Sequence, residues 1–186
     1  GIIYAIDPSI ENIDFINKMA KHNKLDNVVT INKAISDKSE TIYYNEPDDT
    51  HISCNTVTGR SSFEATSLDN LNLDNIGFIH LDVEGFEYKV LQGAINIINR
   101  DKPIIAWENH IEKDDYMKIV NFLSSYNYNT FLINEQFPHC FPDCRNFISF
   151  QKNSNIDINN INNTFYGIYK DFTPDKNRPF LIKMNF

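Results

Sequence analysis

Three cysteines, an odd number in 186 residues, are too few for a disulfide scaffold and suit a reducing compartment, so a cytoplasmic location is expected. No run approaches the roughly 20 apolar residues that a membrane-crossing helix needs, and no membrane partner is expected. Long runs of lysine and arginine are also absent. With 17 basic and 25 acidic residues the formal charge is −8, so a sequence-independent grip on nucleic acid is not expected. The six glycines form no Gly-Xaa-Gly-Xaa-Xaa-Gly turn, no Gly-Xaa-Ser-Xaa-Gly elbow and no Gly-Lys-Ser/Thr phosphate loop. Hydrolases with a nucleophile elbow and P-loop phosphotransferases are thereby excluded. The chain starts at Gly1 and not at Met, which leaves room for an upstream part.

Apolar residues make up 41% of the chain, including 14 Phe and 9 Tyr, enough for one packed body. Gly1–Asp7 reads as a buried strand closed by Asp-Pro-Ser. Ser9 caps a helix over about 10–23, whose Ile10, Ile13, Phe15, Ile16 and Met19 recur at helical spacing. Strands follow at 27–31, 40–44, 63–68 and 77–82. A helix at 84–99 carries Tyr88, Leu91, Ala94, Ile95 and Ile98 on one face. A strand at 103–108, a helix at 113–126 and two strands at 128–134 and 145–151 complete the pattern. Such alternation predicts an α/β fold with a mostly parallel, doubly wound sheet and an antiparallel C-terminal edge. The expected domain covers 1–151. The Asn-rich stretch 152–164 reads as a linker, and 165–186 as an extension.

Carboxylates gather where such sheets bind ligands, beyond the carboxyl ends of the strands. Asp82 and Glu84 close the strand at 77–82 and would point the same way on a continuing strand. Gly85 permits a tight turn into the next helix. Glu87 reads as a surface acid in the first helical turn, favoured there by the dipole. One strand over, Glu108 and His110 repeat the pattern, and histidine is the usual base near neutral pH. Two close carboxylates can hold Mg²⁺, or one of them can act as a general base. Asp7 has two readings: an ordinary turn Asp before Pro, or an acid that accepts hydrogen bonds from the ribose of a nucleotide. His80, inside its strand, reads as a packing residue. His139, Cys140 and Cys144 supply only three ligands, short of the four of a structural zinc site. No metal is assigned to them.

Several short segments, in order, carry a resemblance. They are Tyr4-Ala-Ile-Asp-Pro8, Asn27-Val-Val29, Asn32-Lys-Ala34, Thr66-Ser-Leu-Asp69, Asp82-Val-Glu-Gly85 with Glu87, Val90-Leu-Gln-Gly-Ala94, Pro103 with Glu108, and Asn146-Phe147. Over about residues 1–150 the chain resembles the FkbM-type methyltransferases. The resemblance implies a Rossmann-like class I methyltransferase sheet, S-adenosylmethionine (SAM) as cofactor, and O-methylation of a sugar, glycan or related small molecule. By position, Asp7 would bind the SAM ribose. Asn32, Ala34 and Ser36 would flank the adenine, and Asp82 would lie near the methionine part. Glu84, Glu108 and His110, with Asp82, would face the acceptor. Family members begin with a strand and a turn of the kind Asp-Xaa-Gly-Ala-Asn-Xaa-Gly, which this sequence lacks. The first strand of the fold is therefore expected to be missing here, and the chain to be part of a longer protein.

The loops at 45–64 and 135–145 are the expected acceptor-binding elements. Two other classes stay open. A nucleotide-sugar-modifying enzyme on the same sheet would need the absent glycine turn. A non-catalytic interaction domain, completed by a partner or by a second copy, would keep the sheet without the cofactor.

Overall fold

The computed structural model describes residues 1–44, 61–110, 116–134, 144–169 and 179–184; at Tyr44, Ser61, His110, Cys144 and 165–169 the description covers the backbone only. Two compact units make up the chain. The first holds 1–72 and 89–94, the second 73–88 and 95–186.

The first unit opens with strand β1, Ile3–Asp7, then helix α1, Ile10–His22, and strand β2, Val28–Asn32. Pro8 and Ser9 stop the strand. The Ser9 side chain caps α1 by accepting from the Asn12 amide, so the helix starts where the cap residue predicts. β1 and β2 pair in parallel, from Ile3 opposite Val28 to Asp7 opposite Asn32. A second small sheet contains β3 (Ala34–Ile35), β4 (Glu40–Tyr44) and β5 (Ser61–Thr66). β5 lies in its centre, parallel to β3 and antiparallel to β4.

The second unit is built on one five-stranded sheet. It starts with β6, Phe78–Leu81, followed by α2, Glu87–Gln92, which runs across the unit boundary, and α3, Ile95–Asp101. Then come β7 (Ile104–His110), α4 (Tyr116–Ser125), β8 (Tyr128–Ile133), β9 (Cys144–Gln151), α5 (Ile158–Tyr169) and β10 (Leu181–Lys183). The strand order is β10-β8-β9-β7-β6. α4 packs against β8. On the buried face Trp107 stacks on Phe147 at 4.2 Å, and Tyr116 stacks on the same Phe147 ring at 5.5 Å. Several polar atoms there are matched. Trp107 Nε1 donates to Ser149 Oγ, Ser149 meets Thr130, and the Tyr128 hydroxyl donates to the Pro103 carbonyl.

Three expectations need correction. The sheet is not mostly parallel. Among the described residues β1–β2, β3–β5 and β6–β7 are parallel, whereas β4–β5, β7–β9, β8–β9 and β8–β10 are antiparallel, and the strands fall into three sheets. Strict alternation of strand and helix already lapses at β2, β3 and β4, and β9 inserts antiparallel between β7 and β8. Among the described residues no strand pairs with the second edge of β1 or of β6. The helix expected over 84–99 is broken at Gly93 and Ala94 into α2 and α3. Finally, the Asn-rich segment is no linker. It forms α5, and Ile156, Ile158 and Ile161 pack on the buried Phe131, Phe150 and Leu181. Asn162 Oδ1 accepts from the Leu181 amide at 2.7 Å, and β10 joins the sheet beside β8.

The approach to β6 is fixed by charge. Arg100 donates to both oxygens of Asp101 and to the Leu73 carbonyl, while Asp101 accepts from the Ile76 amide at 3.0 Å. The Arg100 hydrogen bond, then the Ile76 N–H, pull the Asp101 carboxyl down to about 2. A carboxyl acidified by folding stabilises the fold above its unfolded pKa and loses that contribution as the pH falls through its folded value. Asp101→Asn is therefore expected to melt a few degrees below the parent at neutral pH. The gap should close between about pH 4 and pH 2 in thermal melts against pH. A gap unchanged across that window would show that the carboxylate charge is not what holds the 73–77 segment.

Candidate functional site

In the first unit, β1 ends at Asp7, half-buried and already engaged. Its Oδ1 accepts from the Ser9 amide at 2.7 Å and its Oδ2 from the Asn12 side chain at 3.1 Å. That is the turn chemistry of an Asp before Pro. Each carboxylate oxygen still has a lone pair to offer. Asn32 Nδ2 donates to the carbonyls of Asp7 and Pro8, tying the ends of β2 and β1 together. Ala34 is buried at 6% exposure. Ser36 is fully enclosed, and its hydroxyl is hydrogen-bonded to Glu40 at 2.6 Å and to Asp37 at 3.1 Å. Of these four, Asp7 and Asn32 have polar atoms at the strand ends, whereas Ser36 serves the interior of its own unit.

In the second unit the candidates form a row. β6 and β7 are in parallel register up to Leu81 opposite Trp107. One residue further, Asp82 lies just past the end of β6 and Glu108 is the next residue of β7. Across β7, Glu108 stands opposite Asn146 of β9. Side-chain alternation puts Asp82, Glu108 and Asn146 on one face, because Ile79, Leu81, Ile105, Trp107 and Phe147 fill the other, buried face. Asp82 is exposed; Glu108 and Asn146 are half-buried. His80 is exposed on the same face as Asp82, so it is not the packing residue its position in a strand predicts. The backbone places His110 two residues beyond Glu108, opposite Cys144, but its side chain lies outside the described residues.

The turn after Asp82 is unusual. Glu84 has φ 50° and Gly85 φ 92°, both left-handed. Glu84 is exposed, and Glu87 is not the surface acid expected. It is only 3% exposed, and its Oε1 accepts from the amides of Val83 at 3.2 Å and Gly85 at 3.4 Å. Asn146 and Glu87 are the two polar residues that the sequence reading left without a site role. Asn146 belongs to the quoted motifs, but its partner across the sheet is not visible in the chain order.

The loop at 135–143, with His139 and Cys140, and the segment 45–60, with His51 and Arg60, lie outside the described residues, so the expected acceptor-binding loops are not placed. Among the described residues no three His, Cys, Asp or Glu side chains gather as a metal site would require. No helix among them is long and apolar enough to cross a membrane. A cleft of about 440 Å³ lies elsewhere, against α4, the start of β8 and the end of β10, and includes Ser124, Asn129, Lys152 and Lys183. β8 runs the same way as β7, so this cleft is at the amino end of the strands, away from the carboxylate row.

A model of the methyltransferase FkbM domain matches residues 1–130. The chain belongs to this family. The solved structure of methyltransferase FkbM from Methylobacillus flagellatus KT is similar in fold, with a TM-score of 0.59 over 79% of this chain and 17% identity. The chain spans 36% of the length of that protein. No curated protein matches it.

Proposed function

We propose that the chain carries out SAM-dependent methyl transfer to a hydroxyl of a sugar, glycan or related small molecule. The observation that supports this most is that Asp82, just past the carboxyl end of β6, and Glu108, near the carboxyl end of β7 and opposite Asn146 of β9, belong to a chain of a methyltransferase family. Asp7 has acceptor chemistry that suits a ribose diol: a half-buried carboxylate at a strand end with a lone pair left on each oxygen.

SAM, when bound, supplies a methyl group on a sulfonium, already a strong electrophile. The chain's own task is then to bind, orient and deprotonate the acceptor. An alcohol is a poor nucleophile until its proton is taken, and Asp82 or Glu108 takes it as the oxygen attacks. Asn146, opposite Glu108, has both a donor and an acceptor for a neighbouring hydroxyl of a polyol. Holding the hydroxyl in line supplies much of the rate, so acceptor contacts count as heavily as the base.

One other reading has an observation in its favour. The unpaired second edges of β1 and β6 among the described residues suit an interaction domain that another strand completes. For a nucleotide-sugar enzyme, Tyr166 and Lys170 do have the Tyr-Xaa-Xaa-Xaa-Lys spacing. The glycine turn such an enzyme needs is absent, so the spacing carries little weight.

Titration calorimetry with S-adenosylhomocysteine (SAH) separates these readings. Micromolar binding that weakens at least ten-fold in Asp7→Ala is expected, since at least one hydrogen bond to an ion is lost. Repeating the titration with Mg²⁺ tests whether the carboxylates recruit a divalent cation. A folded chain that binds no SAH would favour the interaction domain.

A further inference from the structure

Glu87 does something that an acid in a first helical turn need not do. In a capping box the helical acid reaches back to the amide of its own cap residue. Glu87, the first residue of α2, reaches past that position, and one oxygen receives the amides of both Val83 and Gly85. Those two amides flank Glu84 in the turn that presents Asp82 and Glu84. The turn needs help. A glutamate at φ 50° is in a region where its Cβ crowds the backbone, and Gly85 at φ 92° extends the departure. Such conformations persist where the surroundings over-determine them, and they cluster at sites with a function. A carboxylate at 3% exposure is costly unless its charge is met, and here two backbone N–H groups and the start of α2 meet it.

We propose that Glu87 is the positioning residue of this turn: it spends a buried charge to hold the amides of Val83 and Gly85, so that Asp82 and Glu84 stay directed to ligand. The inference rests on the proposed role of Asp82 in binding the cofactor and acceptor. Gln at 87 keeps an acceptor oxygen of the same reach, whereas Leu removes it and leaves the volume nearly intact.

The test uses Glu87→Leu and Glu87→Gln in the full chain. By NMR, the Val83 and Gly85 amides should exchange about ten-fold faster in Glu87→Leu, and the side-chain carboxyl signals of Asp82 and Glu84 should move. Glu87→Gln should restore both. SAH affinity should fall about ten-fold in Glu87→Leu and stay within about two-fold in Glu87→Gln. Unchanged exchange in Glu87→Leu overturns the clamp. Faster exchange with unmoved carboxyl signals and unchanged SAH affinity leaves a merely structural acid and overturns the positioning role. Should the parent chain bind no SAH, the methyltransferase reading fails separately, and the exchange and carboxyl signals still decide about Glu87.

Discussion

Asp82→Asn is expected to lower methyl transfer by about 10²- to 10⁴-fold, the usual contribution of a positioned general base. The amide keeps the size of the carboxylate and one acceptor oxygen, so hydroxyl binding persists, but it cannot take the proton. Asp82 is exposed beyond β6, and substitutions at exposed positions move stability by about 0.5 kcal/mol or less. The melting temperature should accordingly stay within about 2 °C of the parent. Labelled SAM with a panel of sugar acceptors measures the rate, and a thermal melt provides the control. Two adjacent carboxylates make the outcome discriminating. If Glu108, its neighbour across the strand pair, is the base, Asp82→Asn leaves the rate within a few-fold and Glu108→Gln carries the loss. A loss in neither variant would remove both carboxylates from the chemistry and leave Glu84 and His110 as the remaining candidates.

The row itself was legible in the sequence only along each strand. Alternation within Phe78–Leu81 and Ile104–His110 puts Asp82 with His80, and Glu108 with His110, by a period of two that needs no structure. Asn146 could not be placed that way. It meets Glu108 because β9 inserts antiparallel between β7 and β8, a pairing of residues far apart in the chain. Glu87 failed for a different reason. Its spacing fits an exposed first-turn acid, and nothing in the residue types announces that Glu84 turns left-handed and frees two amides for it. The tail was misread through composition. Asparagine dominates 152–164 and hides Ile156, Ile158 and Ile161, which share one packed cluster. The mostly parallel sheet was inferred from the order of elements, which specifies neighbours only when each crossover returns the chain beside its own strand.

Gly93→Ala is expected to cost about 3 kcal/mol or more, at the upper end of overpacking in a tight interior, and to lower the melting temperature by about 6–12 °C. A methyl at this position would enter the Ser36 carbonyl oxygen well inside van der Waals contact, and would also meet Ser67 Cβ at 2.9 Å and Asp37 Cα at 3.1 Å. None of these atoms is the free end of a side chain. Ser36 is held by its amide on the Thr66 carbonyl and by its hydroxyl on Glu40, with no exposure to solvent. Gly93 cannot retreat either, because its carbonyl accepts from the Asp69 amide and its amide donates to Lys89. Intrinsic propensity argues the other way: alanine is favoured over glycine in a helix by about 1 kcal/mol, and Gly93 sits between α2 and α3. The sign of the measured change therefore decides which effect wins. A fall shows that the glycine of Val90-Leu-Gln-Gly-Ala94 is there for the close approach of two backbones and has no need of a ligand to explain it. A rise would mean that the Ser36–Ser67 wall yields to the added methyl.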